Sequence, residues 1–182
     1  MRWLWIDRFL EFVPKTSARA VKNTSLAEDL FRDHLPGYPI MPASLMLEGL
    51  AQTGGILVGE ANDFKEKVVL AKINTARFTR EAVAGECLLY DVTMLTLRPE
   101  GASVAGKVYA VPPGAELEPA GDPIAEAEIF FAHLDQARSQ QMFGSDNFVF
   151  SGNLMRMVDM AKAAALSEKG TAAVGEREKA PS

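Results

Sequence analysis

Apolar and polar residues follow two different periods along this 182-residue chain. Val68 to Phe78, Leu88 to Leu97, Ser103 to Val111 and Ile124 to Leu134 are rich in β-branched or aromatic residues and read as strands. Turn chemistry separates them at Ala84-Gly85-Glu86, Arg98-Pro99-Glu100-Gly101 and Pro112-Pro113-Gly114. In the last run Ala125, Ala127, Ile129 and Phe131 alternate with Glu126 and Glu128, which predicts a half-buried antiparallel strand with one wet face. Upstream, a short amphipathic start and a turn at Pro14 to Ser17 precede a strand from Ala18 to Leu26. The stretch Ala43 to Val58 is different. It is apolar nearly all round, as a helix buried on most faces would be. Pro36, Pro39 and Pro42 fix residues 34–42 as an irregular segment, and Pro42 suits the first turn of the helix. One long helix followed by consecutive strands predicts an α+β domain over residues 1–135, its antiparallel sheet packed on the helix.

Residues 136–182 change character and read as a C-terminal extension. Four of the eight methionines fall there, which suits adaptable packing rather than a second core. Leu154 to Leu166 has helical spacing, and Ser167 to Ser182 is small and polar enough to be disordered.

Composition narrows the function classes. Hydrophobic residues at 48% and charged residues at 24% are those of a globular chain. The net charge of −5 argues against non-specific nucleic-acid binding, which needs a basic face. A single cysteine, Cys87, excludes an intramolecular disulfide and a multi-cysteine zinc site. The N-terminal apolar run stops at Asp7 and Arg8, too short for a signal peptide. No run approaches the ~20 apolar residues of a spanning helix, so the chain reads as soluble and cytoplasmic.

Candidate chemistry centres on the long helix. Its only ionisable group is Glu48, with Ser44 and Gln52 four residues before and after, a narrow polar stripe on an apolar rod. Burial of that carboxyl is expected to raise its pKa and favour a proton-bearing acid near neutral pH. Gly49, Gly54 and Gly55 each weaken the helix, and close packing against another backbone is the expected compensation. His34 lies just upstream, and a proline-fixed connection leads from it to the helix. An imidazole and a carboxyl held at one site make an acid/base pair. His133 sits at a strand end and Cys87 follows a turn; both read as structural.

The segment His34-Leu35-Pro36-Gly37-Tyr38-Pro39-Ile40-Met41-Pro42, followed by Glu48, Gln52 and Gly55, resembles the hot-dog-fold 3-hydroxyacyl-[acyl-carrier-protein] dehydratases of fatty acid synthesis. Their pattern is His-Phe-Pro-Gly-x-Pro-x-Met-Pro-Gly, then a helix carrying Glu-Ala-x-Ala-Gln. Trp5-Ile6-Asp7-Arg8, Ala76-Arg77-Phe78-Thr79-Arg80 and Ile124 to Ala132 are similar to other parts of that family, so the resemblance runs from about Trp3 to Leu134. It implies a hot-dog fold, an antiparallel sheet wrapped around a central helix. It also implies reversible dehydration of a 3-hydroxyacyl thioester to a trans-2-enoyl thioester, with His34 as base and Glu48 as acid. Gln52 would orient Glu48 or a water, and the amides of Ala43 and Gly37 would hold the thioester oxygen. No metal or organic cofactor is implied, because the thioester itself acidifies the α-proton.

The implied assembly is a homodimer, or a hexamer built from dimers, with sites shared between chains. The implied partner is an acyl carrier protein or coenzyme A thioester. Lys65, Lys67, Lys72, Arg77 and Arg80 are the local positive charge, with Lys72, Arg77 and Arg80 the expected docking residues for an acidic carrier. The chain departs from the pattern at Leu35, at Ala43, where glycine is usual, and at Ser44. Ala43 keeps its backbone donor but adds a methyl group near the substrate. The alternatives on the same fold are an acyl thioesterase and a non-catalytic acyl-thioester-binding module.

Overall fold

A computed structural model describes residues 4–134 and 156–163. In chain order the elements are β1 (Arg8–Val13), β2 (Ser17–Asn23), α1 (Asp29–Asp33), β3 (Ile40–Met41), α2 (Ala43–Glu60), β4 (Lys67–Phe78), β5 (Ala82–Val83), β6 (Cys87–Arg98), β7 (Gly101–Val111) and β8 (Ala125–Leu134). Six strands form one antiparallel sheet in the order β1-β2-β6-β7-β8-β4, and β3 pairs with β5 in a separate two-stranded piece. The α+β class and the long runs agree with the sequence pattern. α1 and the β3–β5 pair fall where only loop and an irregular segment are expected, and the N-terminal amphipathic stretch is the strand β1.

The sheet wraps one face of α2. Ala125, Ala127, Ile129 and Phe131 of β8 are buried on that face, while Glu126 and Glu128 lie on the wet side. There Glu126 is 3.7 Å from Lys107 and Glu128 accepts a hydrogen bond of 2.8 Å from Asn74. The helix glycines pack closely, but on side chains rather than on backbone. A Cβ at Gly54 would lie 3.0 Å from Val104 Cγ2, and one at Gly55 3.4 Å from the Phe131 ring. These contacts seat the helix backbone directly on the sheet's side chains with no helix side chain between, which offsets the cost of glycine inside a helix.

β4 is an edge strand, and residues 70–78 of it are exposed. Leu70, Ile73, Ala76 and Phe78 pair with the buried Phe131, Ile129, Ala127 and Ala125. Two register shifts, at Leu70/Lys72 and Ile73/Thr75, keep these apolar residues on the face where α2 lies. The result is an apolar strip with no cover among the described residues, on a strand with an unpaired edge.

Residues 156–163 form a helix within the span expected to be helical, Leu154 to Leu166. Val158 and Ala161 are buried in the same core cluster as Phe9, Phe12, Leu50 and Leu57. Lys162 Nζ lies 2.5 Å from Glu60 Oε1 at the end of α2 and 5.9 Å from the Phe12 ring centroid. This part of the extension therefore packs into the domain's core; Ser167 to Ser182 lie outside the described residues. No helix among the described residues is long and apolar enough to cross a membrane.

Candidate active site

The approach to α2 is built from local rules. His34 caps the C-terminus of α1, its backbone N–H donating to Leu30 O at 3.2 Å. Beside it Arg32 binds Asp29 and Asp33 at 2.8 and 2.7 Å. That hydrogen bond from Arg32 holds the Asp33 carboxyl below the usual carboxylate range. A tight turn follows, in which Tyr38 N–H donates to Leu35 O at 2.9 Å. Pro36 pre-sets its backbone for the second turn position, and Gly37, at φ +84°, takes the left-handed third. β3 then pairs with β5, and Pro42 caps α2. The first helical bonds run from Leu45 and Met46 to Pro42 O, so the amides of Ala43 and Ser44 precede them at the positive end of the helix.

On α2 the polar stripe is graded: Ser44 is exposed, while Glu48 and Gln52 are half-buried. Glu48 is thus less enclosed in the single chain than the helix pattern predicts. Gln52 Nε2 donates to Glu48 Oε1 at 2.8 Å, and Gln52 Oε1 accepts from the Trp5 N–H at 2.8 Å. The N-terminal segment is itself fixed by Asp7, which accepts from the Asn23 backbone N–H at 2.7 Å and from its side chain at 3.1 Å. A continuous chain of hydrogen bonds therefore fixes the amide orientation of Gln52 and, through it, one oxygen of Glu48. The sequence motif includes Trp5, but a backbone donor carries no side-chain signal, so its part was not readable.

His34 is exposed and makes no hydrogen bond or ion pair with Glu48 within the chain. Two clefts, of about 430 and 320 Å³, lie on the sheet's outer face and beside Asn62, Glu66, Arg98 and His133; neither is lined by His34 or Glu48. The His133 side chain is almost fully buried, with Nδ1 3.3 Å from Pro99 O and 3.6 Å from Glu66. Burial pushes the half-buried Cys87 thiol up. Among the described residues no group of three or more His, Cys, Asp or Glu is placed to hold a metal.

The expected docking residues differ in availability. Lys72 and Arg77 are exposed on β4 and form no ion pair among the described residues. Arg80 is engaged, bound to Glu86 at 2.9 and 3.2 Å and donating to Glu81 O. Lys65 pairs with Asp63 at 3.1 Å.

The sheet wrapped on one long helix defines a hot-dog fold. Solved structures of low identity share it. The dehydratase heterocomplex ApeI:P from Xenorhabdus doucetiae matches with a TM-score of 0.59 at 13% identity, over 78% of this chain and 90% of that one. The smu.793 protein of Streptococcus mutans, solved bound to acetyl CoA, matches with a TM-score of 0.56 at 13% identity, over 74% and 93%. Sequence relatives are far closer. The 3-hydroxyacyl-[acyl-carrier-protein] dehydratase FabZ of Symbiobacterium thermophilum is 41% identical over 137 residues, 74% of this chain and 89% of that protein. Its namesake from Koribacter versatilis is 39% identical over 108 residues, 58% of this chain and 69% of that protein. Residues 2–111 match the FabA-like domain family. The chain belongs to the FabA-like family of hot-dog proteins.

Proposed function

We propose that the protein is a cytoplasmic dehydratase that removes water reversibly from (3R)-3-hydroxyacyl-acyl-carrier-protein, giving the trans-2-enoyl thioester, in fatty acid or related acyl-chain biosynthesis. The relatives' activity supports the reaction. The observation that carries it onto these residues is the hydrogen-bond chain Trp5–Gln52–Glu48 on an otherwise apolar helix. In the proposed step His34 takes the proton from the carbon α to the thioester carbonyl. The C–H electrons form the double bond, the C–O bond breaks, and Glu48 gives its proton to the departing hydroxyl, which leaves as water. Charge that builds on the thioester oxygen is stabilised by the Ala43 amide at the start of α2, with that of Gly37. Gln52, held by Trp5, keeps one Glu48 oxygen occupied and leaves the other to carry the proton. The Ala43 methyl group narrows the space beside the thioester.

The site is shared between two copies in this reading, His34 from one chain and Glu48 from the other. Two features support it. His34 and Glu48 form no hydrogen bond or ion pair within one chain, and the β4 edge offers unpaired backbone beside the strip Leu70, Ile73 and Phe78, as pairing with a second copy requires. Lys72 and Arg77, on the same strand, form no ion pair among the described residues and are the cations for an acidic carrier in this reading; Arg80 serves Glu86 instead. Incubation of the protein with 3-hydroxyacyl and trans-2-enoyl thioesters, followed by product analysis, tests the proposal. Interconversion of the two is expected. Release of free thiol would make the protein a thioesterase, and binding without turnover would make it an acyl-thioester-binding module.

A further inference from the structure

Of the three helix glycines, Gly49, in the first half of α2, makes the tightest contact with a side chain of the sheet. A Cβ on Gly49 would stand 2.2 Å from Tyr90 Cζ and 2.5 Å from its hydroxyl oxygen, against nearest approaches of 3.0 Å at Gly54 and 3.4 Å at Gly55. Tyr90 is fully buried. It pairs with Ala20 on β2 and Val108 on β7, both fully buried as well, so the ring sits in the close-packed interior. Its hydroxyl has no hydrogen-bond partner among the described residues. Burial also drives its pKa upward, so the phenol stays neutral. Keeping an unpartnered hydroxyl there costs stability, so hydrogen bonding does not account for this side chain. The ring fills the volume that a residue larger than glycine would occupy. Gly49 directly follows Glu48, and its carbonyl accepts a 2.8 Å hydrogen bond from the buried Thr53 hydroxyl, which stiffens the same turn.

We infer that Tyr90 is a positioning residue: its ring, seated against Gly49, sets how deeply the first half of α2 lies on the sheet and so where the Glu48 carboxyl stands. The inference rests on the dehydratase reading for the role of Glu48, while the packing itself does not. Four variants test it: Gly49→Ala, Tyr90→Leu, the two together, and Val104→Ala, which loosens the contact under Gly54 away from Glu48. Each is measured for Tm and for kcat and KM in hydration of a trans-2-enoyl thioester. Gly49→Ala is expected to lower kcat at least about tenfold with KM within about twofold. Adding Tyr90→Leu removes the clashing ring atoms and returns kcat to within about threefold of wild type. Val104→Ala lowers Tm with kcat within about twofold of wild type.

If Gly49→Ala does not fold, Tyr90→Leu alone serves, with kcat reduced more than in Val104→Ala at a comparable loss of Tm. Wild-type kcat in Gly49→Ala, no recovery in the double variant, or kcat losses that track Tm equally at positions 90 and 104 would overturn the positioning role alone. A wild-type protein that hydrates no enoyl thioester would instead overturn the dehydratase reading, and with it the meaning given to Glu48.

Discussion

Replacing Lys162 with methionine separates charge from packing in the C-terminal helix. Glu60 is the last residue of α2, where the peptide dipoles present negative charge and the last turn has no basic residue. Its side chain is only 11% exposed, and the 39% exposed Lys162 supplies the cation at 2.5 Å. Breaking a buried pair by removing one partner costs about 3–5 kcal/mol, whereas exposed pairs contribute about 0–1. With one partner buried and the other more than a third exposed, the loss is placed between these limits, about 2 kcal/mol. For a chain of this size that lowers Tm by about 4–8 °C. Thermal unfolding followed by circular dichroism reads the shift. Adding Glu60→Gln removes the stranded charge, so the double variant is expected to recover most of the loss, a coupling between neighbours. A Lys162→Met protein within about 1 °C of wild type would show that the helix is not held there by this pair. A double variant no more stable than Lys162→Met would show that the cost is lost packing over Phe12 rather than buried charge.

Other outcomes follow from the same geometry. Gln52→Leu breaks the link from Trp5 to Glu48 and is expected to lower kcat about tenfold or more with little change in KM, read from steady-state hydration kinetics. Lys72→Glu together with Arg77→Glu is expected to raise KM for a carrier-protein substrate several-fold while leaving a small thioester unaffected, with the difference shrinking as salt is added. Cys87, whose thiol is pushed up by burial, holds less of the reactive thiolate at any given pH than a free cysteine, so its labelling by a disulfide reagent at mildly alkaline pH is expected to be slow in the native protein and fast once denaturant exposes it. Equal rates in the two states would contradict that burial.

Strand runs and the long helix were legible in the sequence because a half-buried strand must alternate, as β8 does, and because α2 is apolar for four turns. Elements without room for a period were not: β3 and β5 are two residues each and α1 is five. The motif residues His34, Gly37, Glu48 and Gln52 were legible as types and spacing. Their supports were not, since the partner of Gln52 is the Trp5 backbone amide and the partner of Gly49 is a ring 41 positions away in sequence. Glycines in α2 announced a close approach, but only the fold says that it is made to Tyr90, Val104 and Phe131 side chains. The spacing of Leu154 to Leu166 likewise predicts a helix without saying that Val158 and Ala161 enter the core or that Lys162 meets Glu60.

The central claim is that His34 and Glu48 together carry the proton transfers. It is tested most directly by hydration of a trans-2-enoyl thioester with wild type, His34→Ala and Glu48→Ala, each checked for native circular dichroism and for the oligomeric size of wild type. The account predicts a fall of about 10²–10⁴-fold in kcat for each variant, the usual worth of a positioned acid or base. Near-wild-type turnover in either folded variant would contradict it.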